Sequence, residues 1–158
     1  MIQIIVLIVL IALNAYFASA EIAFISLNDA KIEKEAKEGN KKAKQIYKMV
    51  KEPSKFLATI QIGITLAGFL SSAFASETFA SELAPILNNL IPLGIGVWNS
   101  ISIVLITIIL SYFTLVFGEL VPKRIAMKNY EKIAYGTVGV IRVIAIITSP
   151  FVIAAADI

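Results

Sequence analysis

Residues 2–27 read IQIIVLIVLIALNAYFASAEIAFISL, and this stretch decides the fold. It is apolar almost throughout, broken by Gln3, Asn14, Ser19, Glu21 and Ser26. A helix needs about 20 such residues to cross the hydrocarbon core of a bilayer. A cleavable signal peptide is the competing reading, and it opens on basic residues. The first basic residue here is Lys31, beyond the far end of the run. The stretch is read as a membrane span.

The rest of the chain agrees. Of its 158 residues, 58% are hydrophobic and 16% charged, against about 45–50% and about 25% in soluble domains. There is no cysteine and no histidine, which excludes disulfides, thiolate metal sites and the commonest general base. All 14 Lys and Arg fall in two windows: Lys31 to Lys55, and Lys123 to Arg142. Basic clusters beside spans mark the cytoplasmic side.

Working outward, residues 28–53 carry Ile32, Ala36, Ala43, Ile46, Tyr47 and Val50 at spacings of three, four and seven. That is one apolar stripe on a helix otherwise covered in Lys and Glu, suited to the membrane surface. Gly39-Asn40 splits it into two pieces, and Pro53 opens the next helix. Residues 54–76 form a second span and 98–118 a third, opened by Trp98 and closed before Pro122. Between them, 77–97 holds Pro85, Asn88, Asn89, Pro92, Gly94 and Gly96 and no basic residue, so it is read as a turn-rich outer connection. Residues 130–156 are long and apolar enough to span, yet Arg142 sits near their middle at a cost of about 2.5–3.5 kcal/mol or more. A helix or helix pair in the cytoplasmic interface is the preferred reading, with a fourth span as the alternative. The expected fold is all-α and integral to the membrane: three transmembrane helices plus cytoplasmic-side juxtamembrane helices, N-terminus outside and C-terminus inside. The stop at Ile158 suggests a piece of something longer.

Polar groups inside spans carry the chemistry, because each costs free energy in lipid unless paired or hydrated. Gln61, Thr65, Gly68 and Ser72 are spaced four, three and four and share one helical face. Glu21 and Glu119 fall toward the cytoplasmic ends of the first and third spans. Gly118 precedes a proline-terminated helix end, where backbone carbonyls lose their partners. Carboxylate, hydroxyl, amide and carbonyl oxygens suit hard cations such as Mg²⁺ or Na⁺. The structural alternative is that Glu21 and Glu119 pair with Lys123 or Arg124 at the rim, and that Ser and Thr bond back to their own helices.

Three segments occur in order: Asn14 to Ala23 (NAYFASAEIA), Ala58 to Leu66 (ATIQIGITL) and Phe117 to Lys123 (FGELVPK), with Glu38 to Ala43 (EGNKKA) between the first two. Together they resemble the transmembrane domain of the cyclin M/CorC family of magnesium transporters. The resemblance covers nearly the whole chain. It implies a homodimer with three spans and a belt of helices on the cytoplasmic side. It implies a dehydrated Mg²⁺ in an inward-facing cavity, exported with Na⁺ influx as the driving gradient. It also implies CBS modules after residue 158, through which alone ATP would bind. Carried over by position, the metal site falls near Ser19-Ala20-Glu21, near Ile64 to Gly68, and at Gly118-Glu119. The best-matched members have serine at the position of Ala20 and asparagines at those of Ile64 and Gly68. Ser19, Gln61 and Thr65 are the candidate replacements, giving a ligand set of Ser19, Glu21, Gln61, Thr65, Gly68, Gly118 and Glu119.

The expected function is Mg²⁺ transport across the plasma membrane. The rival is a non-transporting membrane anchor and dimerisation module for cytoplasmic sensor domains. The expected partners are a second copy of the chain and membrane lipid, not nucleic acid. Enzyme activity is not expected, since no histidine is present and no lysine lies within a span to activate a serine.

Overall fold

The computed structural model describes residues 1–156, and all its regular elements are helical. Helix α1 runs Ile2–Ile25. Two short helices follow, α2 (Asp29–Lys37) and α3 (Lys41–Lys51). Helix α4 spans Pro53–Leu90 and α5 spans Ile95–Leu115. A π-helical turn, Val116–Leu120, joins α5 to α6 (Val121–Lys128), and α7 runs Tyr130–Ala156.

Local chemistry sets the breaks. Asn28 caps α2 by accepting from the Lys31 N–H, and Asn40 caps α3 by accepting from Lys42 and Ala43. Gly39 between them has φ of 100°, a conformation open to glycine. Pro53 takes the first position of α4, where its missing N–H costs nothing.

The expected turn-rich connection over 77–97 is corrected. Helix α4 continues without a break through Pro85 to Leu90, and only residues 91–94 turn. Packing overrides the turn residues: Ala75, Ala80 and Ala84 are buried, and Ser76 Oγ meets Thr107 Oγ1 at 3.4 Å across the α4–α5 seam. Pro85 is tolerated because losing one N–H donor is a smaller cost than unwinding a packed helix. Asn88 Oδ1 then accepts from the Gly94 N–H at 3.0 Å, and Trp98 Nε1 donates to the Ile91 carbonyl at 2.7 Å, closing the tip.

The main hydrophobic core sits at the lysine-rich end. Phe24 and Leu27 of α1, Ile32 of α2, Ile46 of α3, Phe56 and Ile60 of α4, and Ala134, Val138 and Ile141 of α7 share one buried cluster. The Phe24 and Phe56 rings lie 4.7 Å apart. Polar tethers lock the periphery: Lys31 Nζ donates to Glu131 at 2.6 Å, and the Tyr135 hydroxyl donates to Glu35. Above this base only α1, α4 and α5 pack together. Their outer faces expose Ile5, Val9, Leu66, Leu70 and Ile108, as a helix does when hydrocarbon is its solvent.

Four helical rods are long and apolar enough to cross a membrane by length and composition: Ile2–Ile25, Pro53–Leu90, Ile95–Lys128 and Tyr130–Ala155. The fourth is α7, one unbroken helix and not a pair.

Candidate functional site

The geometry is set by Pro122. In a regular helix the carbonyl of Gly118 would accept from the N–H four residues on, and that residue is a proline with no N–H. The chain widens here into the π turn, with the Val121 N–H reaching back five residues to the Val116 carbonyl. Asn14 of α1 supplies the missing donor: its Nδ2 donates to the Gly118 carbonyl at 3.1 Å, fully buried. A Cβ on residue 118 would sit 2.9 Å from that nitrogen, so glycine is what allows α1 to approach so closely.

One face of α1 follows this seam. Asn14, Ala18 and Glu21, spaced four and three, share that face, and Ala18 is fully buried. Glu21 Oε2 lies 3.0 Å from Lys123 Nζ, an ion pair without the alignment of a hydrogen bond.

Beside the π turn opens a hollow of about 570 Å³ between α1, α4 and α5. Gln61, Thr65, Gly68 and Ser72, the predicted stripe of α4, form one wall. Asn14 lies on a second, and Ser111, Thr114 and Glu119 on a third. Gln61 Nε2 donates to Thr65 Oγ1 at 3.3 Å, which leaves the amide oxygen as an acceptor. Asn14 spends its amide nitrogen on Gly118, and its buried Oδ1 has no partner. Glu119 belongs to none of the ion pairs among the described residues. The hollow therefore joins one unneutralised carboxylate to a set of neutral oxygens.

Of the sequence-derived ligand set, the structure brings Gln61, Thr65, Gly68 and Glu119 to one hollow, with Gly118 just behind Asn14. It does not bring Ser19 or Glu21 there. Ser19 lies about 140° around α1 from Asn14, at 100° per residue, and Glu21 is held by Lys123. The rim-pairing alternative thus holds for Glu21 and not for Glu119. Asn14, Ser72, Ser111 and Thr114 are lining groups outside that ligand set. The sequence carries a signal for all but Asn14: Ser72 continues the α4 stripe, Ser111, Thr114 and Gly118 recur at three and four, and Pro122 four residues after Gly118 announces an orphaned carbonyl.

Among the described residues no three Asp, Glu, His or Cys side chains gather to hold a metal ion. Any cation in the hollow would rest on one carboxylate and neutral oxygens. That donor chemistry fits a hard cation that keeps some of its water.

Compared with known proteins, residues 5–158 match the family described as Cyclin M transmembrane N-terminal domain. The chain belongs to this cyclin M family. It is a multi-pass membrane domain on that footing, with the apolar helices to match. A UPF0053 protein of Synechocystis is 42% identical over 144 residues, covering 91% of this chain and 32% of the relative. A UPF0053 inner membrane protein of Escherichia coli is 28% identical over 140 residues, covering 89% and 29%. The polyamine export protein of Haemophilus influenzae is 27% identical over 154 residues, covering 94% and 34%. The cyclin M domain thus spans about a third of the length of these relatives.

Proposed function

We propose that this cyclin M domain carries a cation across the membrane through the hollow beside the π turn, and that the cargo is Mg²⁺. The observation that supports this most is Glu119: a carboxylate in no ion pair among the described residues, lining with Gln61, Thr65 and Ser72 of α4 one hollow in an apolar bundle. An unpaired charge among lipid-facing helices is expensive, and such residues mark ion pathways. Glu119 supplies the charge, while Gln61 and Thr65 supply neutral oxygens. Mg²⁺ sheds water reluctantly, and a hollow of about 570 Å³ has room for an ion with part of its shell.

The proposed topology has three spans, α1, α4 and α5 with its π turn, and α7 in the cytoplasmic interface. What favours it over a fourth span is the company of Arg142: Lys44, Lys48 and Lys55 line the same surface hollow, a polar level and not a bilayer centre. The assembly proposed is a homodimer, with Na⁺ as the coupling ion and CBS modules in the remainder of the protein.

A second reading is favoured by one observation. A relative is named a polyamine export protein, and the hollow sets Ile64, Phe69, Leu110 and Leu115 beside its carboxylate. Methylene-spaced cations suit such a mixed wall. Flux in proteoliposomes separates the readings. The Mg²⁺ proposal expects Mg²⁺ flux that Glu119→Gln abolishes and that spermidine leaves unchanged. Spermidine flux without Mg²⁺ flux supports the second reading, and neither flux supports the membrane anchor.

A further inference from the structure

A second hollow, of about 580 Å³, lies at the lysine-rich end between α3, the start of α4 and α7. Lys44, Lys48, Lys55 and Arg142 line it, from three different helices. Its one carboxylate, Glu52, is 3.1 Å from Lys55 and neutralises that lysine. Lys44, Lys48 and Arg142 belong to no ion pair among the described residues. Of the other acids of the belt, Glu33 pairs with Lys37, Glu38 with Lys34, Glu131 with Lys31 and Glu35 with the Tyr135 hydroxyl, while Asp29, in the first turn of α2, does not line this hollow. Four cations therefore converge on this hollow against the single carboxylate of Glu52, leaving three of them without a counter-charge among its lining residues.

Arg142 is the sharpest anomaly. It is the only charged residue from 133 to 156, on a helix that is otherwise apolar. Its guanidinium offers a planar fork of donors that matches a phosphate, where lysines act as point charges. Beside these cations, Met49, Ala145 and Ile146 add apolar lining to the hollow, and on α7 Ile146 and its neighbours Val143 and Ile147 are exposed.

We propose that this hollow is a binding site for an anionic phospholipid. The phosphodiester sits between Arg142, Lys44 and Lys48, and the acyl chains lie along Ile146 and the outer face of α7. A free phosphate satisfies the cations and leaves the apolar wall without a partner, which is why a lipid is the occupant. The bound lipid pins α7 to α3 and α4 beneath the bundle. This site is separate from the Glu119 hollow and does not depend on what is transported.

The test uses the whole chain in phosphatidylcholine vesicles, with phosphatidylglycerol titrated in and thermal stability followed. The wild type gains stability with phosphatidylglycerol, and the gain shrinks as salt is raised. Each hollow-lining cation removed weakens the apparent lipid affinity about fivefold, so Arg142→Gln and the double variant Lys44→Gln/Lys48→Gln shift the titration to higher lipid. Arg142→Lys keeps the charge and loses the fork, and falls between. Lys41→Gln, on α3 but outside the hollow, leaves the titration in place. Should Arg142→Gln fail to fold, Arg142→Lys and the double lysine variant carry the same comparison. An equal loss in Lys41→Gln points to diffuse surface charge and overturns the site. So does a wild type indifferent to phosphatidylglycerol, or one stabilised equally by inorganic phosphate.

Discussion

Asn14 and Gly118 should be energetically coupled, with a sign that contact counting would not give. Asn14→Ala removes the donor that replaces the missing Pro122 N–H and leaves the Gly118 carbonyl buried without a partner, a loss of about 1–3 kcal/mol. Two terms pull that down. The alanine also removes the partnerless Oδ1, and interhelical hydrogen bonds in membranes average only about 0.6 kcal/mol with a ceiling near 1.7. The expected net cost is about 1–2 kcal/mol. Gly118→Ala fails differently: its Cβ meets Asn14 Nδ2 at 2.9 Å, with Asn14 Cβ and Thr114 Cγ2 each at 3.4 Å. Overpacking of this kind costs about 1–3 kcal/mol. In the double variant the nearest obstacle is gone, so the combined loss should fall short of the sum by at least about 0.5 kcal/mol. Unfolding of the purified chain in mild detergent, run as a four-member cycle, measures it. Strict additivity would refute the claim that the two residues meet at this seam.

Three further outcomes follow from the same geometry. Gly63→Ala should destabilise by about 1–3 kcal/mol, because its Cβ would lie 2.8 Å from two Phe17 ring carbons; Phe17→Leu should recover part of that loss in the same melt. Glu21→Gln should cost about 1–2 kcal/mol, between the values for exposed and buried pairs, since its side chain and that of Lys123 are 21% and 31% exposed. It should leave the apparent Mg²⁺ affinity unchanged, and a large loss of affinity would place Glu21 in the ion site after all. The hydrogen bond to Glu131 raises the Lys31 pKa above 10.5, so this tether's contribution is full below pH 10.5 and fades as pH climbs through the raised value. Lys31→Gln should therefore narrow its stability gap to wild type only at strongly alkaline pH.

Membrane helices are legible in this sequence because hydrocarbon imposes a length and a composition, as in residues 2–27. The breaks at Gly39-Asn40 and Pro53 are legible too, since caps and prolines act locally. The extension of α4 past Ser76 is not, because whether Pro85 ends a helix depends on a neighbour, here the α5 face holding Thr107. The candidate site divides along the same line. Gln61, Thr65 and Gly68 share a face by periodicity alone, and Glu119 stands out as a charge in an apolar run. Asn14 is a tertiary partner, found only once α1 is laid against the π turn. Glu21 came into the ligand set as a carboxylate near the cytoplasmic end of a span and Ser19 through family resemblance, and both signals report position along the chain and not which way a helix turns.

The central claim is that a cation rests between α1, α4 and the π turn. The direct measurement is anomalous scattering from Mn²⁺, standing in for Mg²⁺, in crystals of the chain. A peak within the hollow bounded by Asn14, Gln61, Thr65 and Glu119, lost in Glu119→Gln, is the predicted result. A peak beside Ser19 and Glu21, or one in the hollow that persists in Glu119→Gln, would contradict it.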